Sequence, residues 1–202
     1  MFSFRLAICS LVAAFAASGA ARAANPVVVI ETNHGTIKVE LFEEKAPGTV
    51  KNFMSYVDDK HYDGVIFHRV IEKFMVQGGG MEPGGKEKKT KPAIKNEAAN
   101  GISNVRGTLA MARVGKDIGE VKAADSATCQ FFINTVDNTR LDKKQDRNGI
   151  GYCVFGRVIE GMDVVDKIEK VAKRPTSDPE DSPSVPVEDV VIKSVRKVEA
   201  KK

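Results

Sequence analysis

The sequence offers little from which a metal centre, a disulfide framework or a conventional nucleophilic site could be built. Its 202 residues include no tryptophan, three cysteines and three histidines, and His34, His61 and His68 lack carboxylate or cysteine neighbours at metal-ligand spacing. The motifs G-x-S-x-G, H-E-x-x-H and C-x-x-C are absent. The stretch "GMEPGGK" at Gly80–Lys86 resembles a phosphate-binding loop, but Glu87 stands where that loop needs Ser or Thr. We therefore expect neither a metal nor a cofactor.

No apolar run of the sequence is long enough to span a membrane. The run "LAICSLVAAFAA" after Arg5 falls short of the about 20 residues that a spanning helix needs. It is followed by small residues that end in an A-x-A arrangement at Ala21 and Ala23, which is typical of a secretory signal peptide. A lipoprotein signal at Cys9 and an uncleaved anchor are the alternatives, but most of the apolar run lies after Cys9. We predict cleavage after Ala23 and no membrane anchor.

Cleavage would leave residues 24–202 as one domain of ordinary size. Loss of Arg5 and Arg22 lowers the formal charge from +4 to +2, so the chain as a whole has no charge that would attract nucleic acid or a membrane surface. The basic run "KEKKTK" at Lys86–Lys91 indicates a solvated loop.

Two cysteines remain after cleavage, Cys129 and Cys153, and each lies in an apolar, strand-like segment. They could pair in an oxidising compartment, or remain buried thiols that behave as small hydrophobic side chains. We predict free thiols.

A hydrophobic period of two residues dominates the rest of the chain. The segments with this period are "VVVIET", "GTIKVELF", "GVIFHRVI", "FMVQ", "GTLAMAR", "CQFFINT", "YCVFGRVI" and "VEDVVIKSV". Helical spacing is clear only in "APGTVKNFMSYVDD", where Pro47 suits a first turn, and in "GMDVVDKIEKV". The pattern predicts an all-β domain, a closed barrel or a sandwich, with two helices over its open ends.

One predicted hairpin, "FHRVIEKFMVQGGG", places polar side chains among apolar ones. If about three residues close the turn, Arg69, Ile71, Met75 and Gln77 share one face. A guanidinium on an apolar surface is costly unless it is paired, so Arg69 is either satisfied by Gln77 or also serves a ligand. The hairpin alone leaves both interpretations open.

The hairpin and three later segments resemble the cyclophilin-type peptidyl-prolyl cis-trans isomerases, and in particular their secreted bacterial members. Those segments are "NEAANGISNVRGTLAMAR", "SATCQFFIN" and "GYCVFGRVIEGMDVVDKI". The resemblance implies a closed eight-stranded antiparallel barrel capped by two α-helices. It also implies isomerisation of X–Pro bonds in exported proteins, a periplasmic location, a monomer, and proline-containing unfolded or flexible polypeptides as partners.

The resemblance also implies roles for individual residues. Arg69 would donate a hydrogen bond to the prolyl nitrogen in the twisted transition state, and Gln77 would hold a substrate carbonyl and orient Arg69. The residues expected to line the proline pocket are Phe74, Met75, Phe132 and Leu141. The residues that match positions of peptide-backbone binding are Ala112, Arg113 and Gln130. A proline-binding chaperone or interaction module without turnover is the alternative function, but such a module would not need Arg69.

Three departures from the family pattern fall at this site. Arg140 stands where many eukaryotic members have Trp, and Tyr152 stands where they have His, as expected of secreted bacterial members. The loop Val114–Asp125 is longer than usual and would border the groove. Because the Trp contributes to binding of the cyclic peptide cyclosporin in eukaryotic members, we expect weak cyclosporin binding here.

Overall fold

The computed structural model describes residues 24–114, 123–176 and 183–199. The predicted signal peptide and most of the predicted long loop Val114–Asp125 lie outside these residues. In the described part, no helix is both long and apolar enough to cross a bilayer.

Ten strands account for most of the regular structure of the described residues. They are β1 (Val27–Thr32), β2 (Gly35–Leu41), β3 (Arg69–Ile71), β4 (Met75–Gly78), β5 (Thr108–Met111), β6 (Phe131–Asn134), β7 (Val154–Glu160), β8 (Lys173–Arg174), β9 (Val185–Pro186) and β10 (Ile192–Lys197). All pairs are antiparallel, and eight strands form one sheet in the order β10-β1-β2-β7-β5-β6-β4-β3, while β8 and β9 pair separately. The predicted mostly-β fold and its predicted strands are therefore present.

The predicted closed barrel needs correction, because the sheet is a strongly curled half-barrel whose ladder ends at β3 and β10. The amide of Val70 in β3 donates to the carbonyl of Ser184 at 2.7 Å, so the outer edge of β3 is used by the chain before β9 rather than by β10. The residues just before β3 pair with the start of β10, where Gly64 N donates to Ile192 O at 2.9 Å and Ile192 N donates to Val65 O at 2.8 Å.

Both predicted helices are present, as α1 (Pro47–Asp58) and α2 (Met162–Glu169). Pro47 begins α1, where a missing N–H costs nothing. The free N–H groups of that first turn are bound by a distant carboxylate: Glu97 accepts from Gly48 N at 3.1 Å and from Thr49 N at 2.8 Å. Glu97 therefore fixes the start of α1 to the loop before β5.

The sheet separates two apolar clusters. The core cluster contains the buried faces of both helices and a set of aromatic rings, in which Phe53 of α1 lies 5.7 Å from Phe131 and 5.3 Å from Phe155. The second set, which we name the groove cluster, has Met75, Ala110, Phe132 and Val154 at its centre. Side chains alternate across a strand, so neighbours such as Phe131 and Phe132 belong to different clusters.

Candidate active site

The β3–β4 hairpin has the predicted register. Arg69 pairs with Gln77, and Ile71 pairs with Met75, so these side chains share one face. Arg69 Nη1 donates to Gln77 Oε1 at 3.0 Å and lies 3.9 Å from the sulfur of Met75. The guanidinium is thus held at the edge of the groove cluster by an amide that accepts from one of its five N–H groups.

Gln77 is itself held by a second amide. Its Nε2 donates to Gln130 Oε1 at 3.0 Å, and the backbone carbonyl of Gln130 accepts from Ala112 N at 3.0 Å. Gly80 makes room for this arrangement, since a Cβ there would lie 2.5 Å from Gln130 Cγ. These contacts fix which way the Gln77 amide faces and therefore where Arg69 is directed.

The groove cluster continues from Gln77 across the sheet. Gln77 pairs with Phe132, Phe132 pairs with Ala110, and Ala110 pairs with Val154, so the four residues form one row over four strands. Met75 and Phe132 are 1% and 4% exposed, although they lie outside the core cluster. The partly buried residues around this row are Phe42, Ile71, Phe74, Ile102, Ala112, Leu141 and Tyr152. The groove therefore has an apolar floor, and beside it lies Arg69, whose orientation is fixed by Gln77.

The wall of the groove comes from the connection between β6 and β7. Tyr152 N donates to Leu141 O at 2.9 Å, and the Tyr152 ring meets the Phe132 ring edge-on at 5.7 Å. The guanidinium carbon of Arg113 lies 4.2 Å from the Tyr152 ring centre, and Arg113 Nη2 lies 3.9 Å from Asp146 Oδ2. Arg113 is therefore stacked and close to a carboxylate, and its side chain is 10% exposed.

A network of buried asparagines, which no sequence pattern predicted, supports this wall. Asn138 Nδ2 donates to Phe74 O at 2.7 Å and to Asn134 Oδ1 at 2.8 Å, while Asn134 Nδ2 donates to Thr108 Oγ1 at 2.9 Å. Asn104, also buried, donates its side-chain amide to Asp142 Oδ1 at 2.9 Å. The only signal in the sequence is that Asn134 ends the otherwise apolar strand "FFIN".

His68 is a further residue near the site that the sequence pattern did not predict to belong to it. Burial and the neighbouring Arg69 charge lower the pKa of the His68 imidazole from 6.5 to about 4, despite its hydrogen bond to Ile66. A cavity of about 360 Å³ borders both His68 and Arg69 on the side of the β8–β9 pair. The imidazole is neutral at neutral pH, so Arg69 meets no second positive charge from its neighbour in sequence.

All the predicted site residues therefore lie together. Arg69, Gln77 and Gln130 form the polar edge, while Phe74, Met75, Ala112, Phe132, Leu141 and Tyr152 belong to the groove cluster or pack against it. Arg113 stacks on Tyr152, and Arg140 lies over Phe74 with its guanidinium carbon 4.8 Å from the ring centre.

Of the predicted long loop only Val114 and residues 123–125 are described, and Val114 N donates to Ser126 Oγ at 2.8 Å. Within the described ranges, no group of three His, Cys, Asp or Glu side chains could hold a metal ion.

Both described cysteines are free and buried. Cys153 Sγ lies 3.5 Å from Thr49 Oγ1, and burial raises the pKa of the Cys153 thiol to about 11. Burial also raises the pKa of Cys129.

We expect the thiols of Cys129 and Cys153 to be unreactive in the folded protein and fully reactive after unfolding. The thiolate is the reactive form, and at pH 8 it is scarce in both side chains. Ellman's reagent should detect no thiol in native protein and both thiols in guanidinium chloride without reductant. Absence of reactive thiol in guanidinium chloride would show that the two cysteines are bridged.

Comparisons with known proteins agree with this geometry. Residues 27–197 match the model of the family described as "Cyclophilin type peptidyl-prolyl cis-trans isomerase/CLD". The chain is 54% identical over 170 residues to peptidyl-prolyl cis-trans isomerase B of Escherichia coli, covering 84% of this chain and 98% of that protein. It is 53% identical over 173 residues to a peptidyl-prolyl cis-trans isomerase of Acinetobacter baylyi, covering 86% of each.

A solved structure shares the fold. It is a cyclophilin-type peptidyl-prolyl cis-trans isomerase of Cryptosporidium parvum, with a TM-score of 0.68, 25% identity, and coverage of 88% of this chain and 99% of that one.

Proposed function

We propose, from the premise that this chain belongs to the cyclophilin-type peptidyl-prolyl cis-trans isomerase family, that Arg69 and Gln77 carry out its reaction on X–Pro bonds. The chain is a peptidyl-prolyl cis-trans isomerase, as its family and its relatives at 48–54% identity show. The observation that carries the assignment to these two residues is the 3.0 Å hydrogen bond from Arg69 to Gln77 beside the groove cluster.

The chemistry requires only a directed donor and a surface for the proline ring. Rotation about an X–Pro bond is opposed by amide resonance, which makes a barrier of about 20 kcal/mol. Resonance is lost in the twisted transition state, and the prolyl nitrogen then becomes a hydrogen-bond acceptor. A donor aimed at that nitrogen binds the transition state more strongly than the ground state, which is the condition for catalysis.

Arg69 is suited to this role because one of its N–H groups is used to fix its orientation. Gln77 accepts from Nη1, and Gln130 holds Gln77 in turn. A donor positioned before the substrate arrives needs no reorganisation during the reaction. Met75, Phe132 and Leu141 offer the adjacent apolar surface for the proline ring, and the edge-on contact between Phe132 and Tyr152 limits movement of that surface.

The direct test is NMR exchange spectroscopy on a short X–Pro peptide with purified residues 24–202. We expect accelerated cis–trans exchange at substoichiometric protein. Peptide binding without acceleration would instead identify a proline-binding module, and would show that the Arg69 donor is not used for turnover.

The substrates that we propose are proline-containing unfolded or flexible segments of exported proteins in the periplasm. The leader pattern that ends at Ala23 supports export, and the family match begins only at Val27, just after the predicted cleavage position. We propose the protein to be a monomer that does not bind nucleic acid.

Protein isolated from the periplasm of a Gram-negative host is expected to begin at Ala24. Signal peptidases require small residues at the cleavage site, so Ala23→Tyr should block processing. The intact mass measures both outcomes. Retention of Met1 would contradict export by this route, and a lipid-modified Cys9 would show that the lipoprotein alternative is correct.

Arg140→Trp is expected to tighten cyclosporin binding at least tenfold, from a weak affinity in the parent. An indole would supply the apolar face and the N–H donor that Trp supplies in eukaryotic relatives, whereas the Arg140 head prefers water and costs about 2 kcal/mol of side-chain entropy to fix. Isothermal titration calorimetry measures both affinities. Tight binding by the parent, or no gain in the variant, would show that this position does not control cyclosporin affinity.

A further inference from the structure

Arg140 lies at the rim of the groove as a cation over an aromatic ring, and it forms no ion pair with a carboxylate of the described residues. It belongs to the short helical turn Thr139–Leu141, its side chain is exposed, and its guanidinium carbon lies 4.8 Å from the centre of the Phe74 ring. The Arg69 guanidinium carbon lies 6.0 Å from the same ring. Phe74 therefore has two cations over it, one from the proposed catalytic pair and one from the rim.

The neighbouring carboxylates in sequence are already used by backbone and side-chain donors. Asp137 accepts from Arg106 N at 2.8 Å, Asp142 from Asn104 N at 2.7 Å, and Asp146 from Gly151 N at 2.9 Å. Asp142 also accepts from Ser103 through its other oxygen. These contacts hold the carboxylates in the loop structure rather than against the rim.

The hairpin on the opposite side of Phe74 does not neutralise Arg140 either. Glu72 is exposed in the turn before Phe74, and it forms no ion pair with Arg140 among the residues that the structure describes. Lys73 and Lys143, which flank the two sides of this rim in sequence, add further positive charge. Among the described residues, the Arg140 guanidinium therefore has no ion-pair partner.

A stacked guanidinium is well arranged to receive a carboxylate from outside. The Arg140 guanidinium lies over the Phe74 ring and makes no hydrogen bond or ion pair with the residues that the structure describes. Two of its N–H groups can therefore meet the two oxygens of a carboxylate in parallel. Contact with the ring also removes some of the rotamer freedom that an exposed arginine would lose on binding.

We infer that Arg140 selects substrates in which an acidic residue stands next to the isomerised proline. The inference rests on the proposed function, because it requires the proline ring to occupy the groove cluster beside Phe74. The bound carboxylate would lie over the Phe74 side of the groove, where Arg140 attracts it. Peptides with a basic residue at the same place would be disfavoured by the same charge.

The test compares short peptides that share an Ala-Pro core and carry Glu, Gln or Lys either directly before that core or directly after it. NMR exchange gives kcat/KM for each peptide without a coupling protease. We expect parent protein in low salt to favour Glu over Gln by about threefold to fivefold at one of the two positions, as for an exposed ion pair of about 1 kcal/mol. The preference should shrink in 0.5 M NaCl because exposed charges are screened.

Variants assign the preference to one side chain. Arg140→Gln should abolish the Glu-to-Gln ratio and Arg140→Glu should invert it in favour of Lys, while the control Lys144→Gln removes an exposed cation of the next loop and should keep the parent ratio. The ratio is taken within each variant, so a partly unfolded preparation does not alter it. Equal rates for Glu and Gln at both positions in the parent, or a ratio unchanged in Arg140→Gln, would overturn the inference. No acceleration of any peptide would instead overturn the proposed function.

Discussion

Replacing Arg69 with alanine is expected to lower kcat/KM for a short X–Pro peptide by about 100-fold or more while the protein stays folded. Loss of one preorganised transition-state donor costs about 100-fold to 1,000-fold in rate. The fold should persist because Arg69 lies on the edge strand β3 and outside the core cluster. NMR exchange measures the rate, and near-UV circular dichroism reports the packing of the buried aromatic rings.

Arg69→Lys provides the matched variant for this prediction. Lysine keeps the positive charge but cannot donate to Gln77 and to a substrate from one planar group, so it should recover little of the rate. Near-normal rates in a folded Arg69→Ala protein would contradict the proposed mechanism. Full recovery with lysine would show that charge alone, rather than the directed donor, supports the reaction.

The protein is expected to lose about 3 kcal/mol of unfolding free energy between pH 6.5 and pH 4 through His68 alone. Burial and the charge of Arg69 hold the His68 pKa at about 4 in the folded state, below the ordinary value of 6.5. In that interval the unfolded chain takes up a proton at His68 and the folded chain does not. The stability that comes from neutral His68 is therefore complete above pH 6.5 and is lost as the pH falls towards 4.

Urea unfolding of parent and His68→Gln proteins across this pH range isolates the contribution. The carboxylates titrate in both proteins and cancel in the difference between the two curves. His61→Gln serves as a second comparison, because burial also lowers the pKa of His61 and its own contribution should be separable. Parallel curves for parent and His68→Gln would show that the His68 pKa is not displaced.

The hairpin that carries Arg69 could be predicted from the sequence because it depends only on local rules. The residues alternate in and out, and a short turn fixes the register, so Arg69 must face the same way as Met75 and Gln77. The same reasoning gives the β1–β2 pair, where Thr32 is opposite Gly35, and the buried stripe of α1.

The contacts between distant segments could not be predicted by such rules. The stacking of Arg140 on Phe74 and the bond from Asn138 to Phe74 O depend on how the β6–β7 connection folds back over β4. The prediction of a closed sheet was wrong for a related reason. Whether Val70 in β3 pairs with Ser184 or with β10 depends on the path of the long connection between α2 and β10. The resemblance to the family identified the site residues, but the supporting asparagines became clear only from the structure.

The separation of the apolar residues into a core cluster and a groove cluster has a consequence for how such a protein can diverge. Effects of substitutions that share no contacts add to within about 0.5 kcal/mol, so changes in the groove and changes in the core combine almost independently. A descendant chain can therefore vary residues around Phe132 and Leu141 without a compensating change around Phe53. After gene duplication, copies of this fold can therefore acquire different groove residues at a cost in stability that does not depend on changes in the core.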